Sequence, residues 1–260
     1  MRKLLVPAFL AVSGCHITIP ITTGIEEDDT GADTASDTGD SAGETGQDSG
    51  PGPTLNDFVD LSVNQASAVT GSGGLRLRTE AGTNEPGGFN GGGTGNKSIA
   101  ALPGVDSTPL ASLTTLAFET TLVAGALTPY FNVIVDLDCG NGDTPLVLVV
   151  ADTTAATGPL DLGEGVSRYE WAATGAQWRA VGGLDDLLPS HTAMEAGKLS
   201  DVVAAYPAAC LRDAATGDGG LPAGVVTPAM LVILGDSNNT AELEHLLGAI
   251  EILGTRYSWL

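Results

Sequence analysis

The tripeptide Gly235-Asp236-Ser237 directly follows the apolar run Ala229 to Leu234, and His245 lies eight residues further on. A serine at a strand end is exposed for attack, and a histidine within reach could take its proton, so Ser237 and His245 form a candidate nucleophile and base. A second group offers hard oxygen ligands. Asp136, Asp138, Asn141 and Asp143 crowd one turn, with Asp152 nearby, and Ca2+ takes such oxygens. Gly140 and Asn141 interrupt the Asp-x-Asp-x-Asp-Gly order of a calcium loop, so a hairpin turn closed by its own hydrogen bonds is the competing reading. The third group is aromatic: Tyr169, Trp171 and Trp178 could stack on a sugar ring or fill a core. His16 and His191 stand alone, and neither Cys-x-x-Cys nor His-Glu-x-x-His occurs, so zinc chemistry has no basis.

The elements that must hold these residues read as strands. Leu75 to Thr79 alternates apolar and charged, as a half-buried strand should. Thr114 to Val123 and Phe131 to Asp138 are the clearest strands. In the second, Phe131, Val133, Val135 and Leu137 share one face, and Asn132, Ile134, Asp136 and Asp138 share the other. Pro145 to Ala151 is almost wholly apolar, which predicts a hairpin over 131–151 through the middle of a sheet. Tyr169, Trp171 and Ala173 alternate with Arg168, Glu170 and Ala172, with Trp178 expected on a partner strand. Ala229 to Leu234 and Leu247 to Leu253 are the last strong strands. Thr192 to Glu195 has capping-box spacing, Ser200 could open a short helix ending before Pro207, and Asn239 or Thr240 could cap a helical turn. Gly87 to Gly95 lacks the Gly-Lys-Ser/Thr order of a phosphate loop and reads as a connection between strands. Many strands with little helix predict an all-β, antiparallel two-sheet sandwich with one or two short helices.

Composition bounds what such a domain could meet. The chain has 260 residues and a formal charge of -22. Phosphates must be neutralised by Lys and Arg, so nucleic acid is disfavoured as a partner. Residues 26–50 hold nine carboxylates, no Lys or Arg and few large apolar groups, so this acidic stretch is expected to be disordered. From His16 to Pro53 a flexible coil reaches about 35 Å. Arg2 and Lys3 precede a short apolar run, Leu4 to Val12, and small residues lead into Cys15. A positive end, a short apolar core and small residues are the parts of a signal peptide, and the run is too short to span a bilayer.

Val12-Ser13-Gly14-Cys15 resembles the lipobox of bacterial lipoproteins. The resemblance implies cleavage after residue 14 and acylation of Cys15 with palmitate-type chains, two or more of which hold stably in a membrane. Loss of Arg2 and Lys3 would take the charge from -22 to -24. His16, rather than Asp, after Cys15 resembles the pattern that sends Gram-negative lipoproteins to the outer membrane. With Cys15 acylated, Cys139 and Cys210 are the only possible pair, and export favours a disulfide over two buried thiols.

The succession Gly73 to Leu77, Leu110 to Phe118, Phe131 to Asp138, Leu146 to Val150, Tyr169 to Trp178, Leu199 to Pro207 and Leu247 to Leu253 resembles concanavalin A-like jelly-roll domains of bacterial surface proteins. The likeness spans most of Leu55 to Tyr257 and implies a jelly-roll sandwich over 54–260. Domains of this type bind glycans, catalyse reactions or have no known activity, and some hold Ca2+ in their loops. Gly235-Asp236-Ser237 also resembles the nucleophile block of GDSL-type esterases. There, however, the block opens the domain and the histidine belongs to an Asp-x-x-His motif, whereas here His245 follows Glu242-Leu243-Glu244. These readings converge on residues 1–14 as a lipoprotein signal peptide, 15–53 as the lipidated cysteine and tether, and 54–260 as a non-catalytic binding or structural module. Its expected partners are a membrane through the lipid, and a glycan or envelope protein through the sandwich. It needs no cofactor beyond Ca2+ as a candidate ion. The alternatives are an esterase using Ser237 and His245, and a Ca2+-dependent carbohydrate-binding domain.

Overall fold

A computed structural model describes residues 53–63, 65–82, 96–140, 146–215, 226–235 and 239–259. The expected signal segment, Cys15, the tether up to residue 52, the glycine-rich stretch 87–95, Asn141, Asp143 and Ser237 lie outside the described residues.

The strands in chain order are β1 (Val59–Asp60), β2 (Ala66–Gly71), β3 (Gly74–Thr79), β4 (Ser98–Leu102), β5 (Thr115–Ala124) and β6 (Tyr130–Asp136). Then come β7 (Val147–Ala151), β8 (Thr157–Gly163), β9 (Val166–Ala172), β10 (Ala176–Ala180) and β11 (Gly197–Lys198). A helix, α1 (Leu199–Ala205), precedes β12 (Cys210–Leu211), β13 (Ala214–Ala215), β14 (Val226–Thr227), β15 (Met230–Leu234), β16 (Leu243–Ile252) and β17 (Thr255–Ser258). One sheet runs β1-β4-β15-β6-β7-β10-β11, with β12 continuing along β6, and the other runs β2-β3-β16-β5-β9-β8, with β17 on β16. The expected antiparallel two-sheet sandwich is therefore present. β15 lies between β4 and β6, and β16 between β3 and β5, so strands late in the chain fill the middle of both sheets.

Alternation decides which side chains meet between the sheets. Along β6, Phe131, Val133 and Val135 enter the main core, while Asn132, Ile134 and Asp136 face outward. β6 and β7 pair as the expected hairpin in the sheet interior, Phe131 opposite Ala151 and Val135 opposite Val147. On β5, Leu116 and Phe118 point inward and Glu119 outward, in register with Trp171, Tyr169 and Arg168 on β9. β8 is an edge strand with every residue exposed. Pro159 has no N–H to give a second neighbour, and an edge is where a strand tolerates it.

Some expectations were displaced. Trp178 lies on β10, which pairs with β7 and β11 in the sheet opposite β9, because period-two alternation fixes a face but not a sheet. Thr192 to Glu195 forms a turn without a helix; α1 starts at Leu199 behind Lys198, with no side-chain cap. The Tyr206 N–H closes that helix on the Val202 carbonyl, directly before Pro207. No helical turn follows Asn239. Its Nδ2 instead donates to the Thr79 hydroxyl at 3.1 Å, tying the chain to β3 before β16 begins.

Cys139 and Cys210 form a disulfide with Cα atoms 5.3 Å apart. It clamps the turn after β6 to β12, beside the pairing of Cys210 with Asp136. A bridge across 71 residues removes loop entropy from the unfolded chain worth about 4 kcal/mol in the chain-entropy model. Replacing both cysteines with serine should lower unfolding stability by about that much in urea, and dithiothreitol should then have no further effect on the variant.

Candidate functional site

The two outer faces of the sandwich carry different chemistry. On the seven-stranded sheet, Arg76 of β3 meets Glu244 of β16 at 2.7 Å, and Arg168 of β9 reaches Glu251 at 2.9 Å and Glu170 at 3.0 Å. Arg256 of β17 grips Glu119 with both terminal nitrogens at 2.9 Å. That hydrogen bonding holds the Glu119 carboxyl below its ordinary range, against the opposing effect of burial. This face is tiled with ion pairs.

The eight-stranded sheet presents apolar side chains outward instead. Ile99 and Ala101 of β4 and Leu231 and Ile233 of β15 form a second buried cluster, with Leu61 and Tyr130 packed against it. The register carries this row across the sheet: Ala101 opposite Leu231, Leu231 opposite Asn132, Asn132 opposite Val150, and Val150 opposite Arg179. Asn132 is only 9% exposed, and its buried Oδ1 has no hydrogen-bond partner among the described residues. A buried amide oxygen left unpaired costs about 1–3 kcal/mol. Asn132, Ile134 and Val150 are the candidate binding residues, because a polar group held at such a cost in an apolar strand calls for an explanation.

Arg179 ends the row, 4% exposed. Its Nε donates to the Glu195 carbonyl at 2.9 Å and Nη2 to the Met194 carbonyl at 3.1 Å. Nη1 donates to Asp152 Oδ2 at 2.6 Å and to the Thr154 hydroxyl at 3.0 Å. One guanidinium thus ties the loop after β7 and the segment before β11 to the sheet. The signal for Asn132 was present in the sequence, as the single amide within Tyr130-Phe131-Asn132-Val133-Ile134-Val135. Nothing in the sequence marked Arg179.

The aromatic platform is not there. Trp171 and Trp178 are wholly buried, and each indole N–H is spent at 2.8 Å on a carbonyl, of Asp152 and Ala172 respectively. Tyr169 is half-buried, its ring 5.4 Å from that of Phe118. Inward alternation on β9 turns Tyr169 and Trp171 to the core and leaves Arg168 and Glu170 outside, so these aromatics have no free face for a ligand.

The oxygen cluster is used locally. Asp136 Oδ1 accepts the N–H groups of Asp138 at 3.2 Å and Cys139 at 3.1 Å, and Oδ2 lies 3.7 Å from Arg212 Nε. Asp152 is committed to Arg179 and to its own turn. Among the described residues no three His, Cys, Asp or Glu side chains converge on a metal-sized site. His245 is buried in β16, with Nδ1 2.9 Å from the Thr120 hydroxyl and Nε2 3.0 Å from the Leu127 carbonyl. Both ring nitrogens are engaged, by the Thr120 hydroxyl and the Leu127 carbonyl, in place of a serine nucleophile.

Among the described residues, no helix is long and apolar enough to cross a membrane. No protein-family model matches the chain, and neither a curated protein nor a solved structure does.

Arg179→Met should cost about 3–5 kcal/mol in urea unfolding, because Asp152 and two carbonyls lose their partner. Lys198→Met, at an exposed position, should change stability by less than about 0.5 kcal/mol.

Proposed function

We propose that the chain is a bacterial surface lipoprotein: residues 1–14 are removed, Cys15 carries the acyl anchor, the acidic stretch to Pro53 is a spacer, and the sandwich is a non-catalytic binding module. The Asn132 Oδ1, buried without a hydrogen-bond partner among the described residues, carries the binding half of this reading. The apolar cluster of β4 and β15 beside it is buried within the chain, so the feature that asks for a ligand is the unpaired acceptor and not the apolar surroundings. A ligand for it would supply a hydrogen-bond donor, as a sugar hydroxyl of the cell envelope does, and would displace the groups that cover Oδ1. The passage of the chain from sheet to sheet, with β15 and β16 closing the two middles, supports the jelly-roll form of the fold.

The oxidised Cys139–Cys210 pair supports an address outside the cytoplasm. The outer membrane is the address in this reading, with the lipid rather than surface charge holding an acidic protein there.

Metabolic labelling with a palmitate analogue tests the anchor. The wild-type chain should be labelled and retained with membranes, and Cys15→Ser should be unlabelled and released. An unlabelled wild type, made and cleaved normally, would refute the anchor.

Asn132→Leu tests the module. The substitution should raise stability by about 1 kcal/mol, by removing an unpaired polar group, and should abolish retention on an immobilised envelope-glycan panel. Equal glycan retention by both proteins, or none by the wild type, overturns the glycan-binding reading.

A further inference from the structure

His245 occupies an inward position between Leu77 of β3 and Leu122 of β5. A carbonyl can only accept, so the Nε2 facing the Leu127 oxygen carries a proton and donates it. Nδ1 of the neutral ring then accepts from the Thr120 hydroxyl. Three pieces of chain meet at this imidazole: β16 through its backbone, β5 through Thr120, and the β5–β6 loop (125–129) through Leu127.

Of residues 125–129, Gly125, Ala126 and Leu127 are exposed and only Pro129 is buried. The loop is entered through Gly125 at φ +86°, where a Cβ would fall 2.5 Å from Leu243 Cδ2 and 2.8 Å from the Glu242 carbonyl. The side chains around it, Leu122, Val123 and Leu127, are all exposed. Segments with few buried contacts open at low free energy.

We propose that His245 is a proton-operated latch: the neutral ring pins the β5–β6 loop through the Leu127 carbonyl, and protonation releases it. Adding a proton at Nδ1 turns that atom into a donor. The Thr120 hydroxyl can then swing toward the Leu246 carbonyl, 3.4 Å away, so the hydrogen bonds are not what fails. What fails is the solvation of the new charge.

Among the described residues no acid faces the ring to balance it. On β16, Glu244 projects to the opposite face and is held by Arg76 at 2.7 Å. Glu242, exposed, lies 3.6 Å from Arg78. On β5, Glu119 is on the outer face with Arg256. On β3, Arg76 and Arg78 also point outward, and residues 125–129 contain no titratable side chain. Burial accordingly lowers the His245 pKa from its ordinary 6.5, while the hydrogen bond to Leu127 opposes that shift. An opened state binds the proton more readily than the closed one. The closed loop is therefore fully favoured above about pH 6.5 and loses stability as pH falls through the folded value. Lifting the loop, rather than breaking β16, is the cheapest way to return the ring to water.

The test uses the full chain. Amide hydrogen exchange of residues 125–129, corrected for intrinsic rate, should accelerate at least about tenfold between pH 7.5 and pH 5, while the β16 amides stay protected. His245→Gln, which cannot titrate, should exchange at the same corrected rate at both pH values. Exchange that is independent of pH in the wild type, or an acceleration that survives in His245→Gln, overturns the latch. Should the variant fail to fold, NMR titration of the wild type decides instead. Loop amide shifts following the His245 ring with one midpoint support the latch, and loop shifts that ignore the ring refute it.

Discussion

Phe118 of β5 is the point on which the two sheets close. Its ring lies 5.6 Å from that of Phe131 on the opposing β6, and 5.4 and 5.5 Å from Tyr169 and Trp171 beside it on β9. Phe131 meets Trp171 edge-on at 5.4 Å. Each such pair adds about 0.5–1.5 kcal/mol beyond the area it buries. The larger effect is positional. With those rings inward, strict alternation forces Glu119, Arg168 and Glu170 out on one side of the molecule and Asn132 and Ile134 out on the other. The ion-paired face and the apolar face are thus both consequences of one aromatic contact between layers.

The two outer faces show how the same alternation can end in opposite chemistries. On the seven-stranded sheet, four arginines stand among glutamates at charge-pairing distance, with Glu244, Arg168 and Glu119 the more buried members. They keep the middle of that surface hydrated, while Val69, Leu160 and Leu162 on its edge strands and Leu122 and Val123 at the end of β5 stay exposed. On the eight-stranded sheet the outward positions of β4 and β15 are as apolar as their inward ones, which is why Met230 to Leu234 is buried at every residue. A strand apolar on both sides must be covered on both sides. Polarity reappears on this face at Asn132 and Asp136 of β6 and at Gln177 and Arg179 of β10.

The strand assignments that sequence supports best are those with undisturbed alternation. Phe131 to Val135 shows its face, its hairpin partner and its central position directly. β8 is not legible in the sequence because Gly158 and Pro159 interrupt Thr157 to Gly163, and a strand exposed on both faces has no hydrophobic period to display. Trp171 and Trp178 illustrate a different limit. Their spacing shows that each has a preferred side, but the side becomes core or surface only when the sheets are stacked, and here both end in the interior. His245 reads as a candidate base from its distance to Ser237 along the chain. Its true surroundings, Thr120 and Leu127, are more than a hundred residues away in sequence, and only the pairing of β16 with β5 brings them together. The disulfide was accessible by counting thiols; the role of Asn132 needed the register of four strands.

The placement of β15 and β16 bears on when the molecule can become itself. Until residues 230–252 are available, β4 has no neighbour toward β6 and β3 none toward β5, so each sheet is two halves with a gap through its centre. A growing chain cannot complete either layer from its earlier segments, and consolidation must await nearly the whole polypeptide. Long-range pairing of this kind folds slowly. The late arrival of these two central strands thus leaves the earlier segments loosely held until the polypeptide is nearly whole.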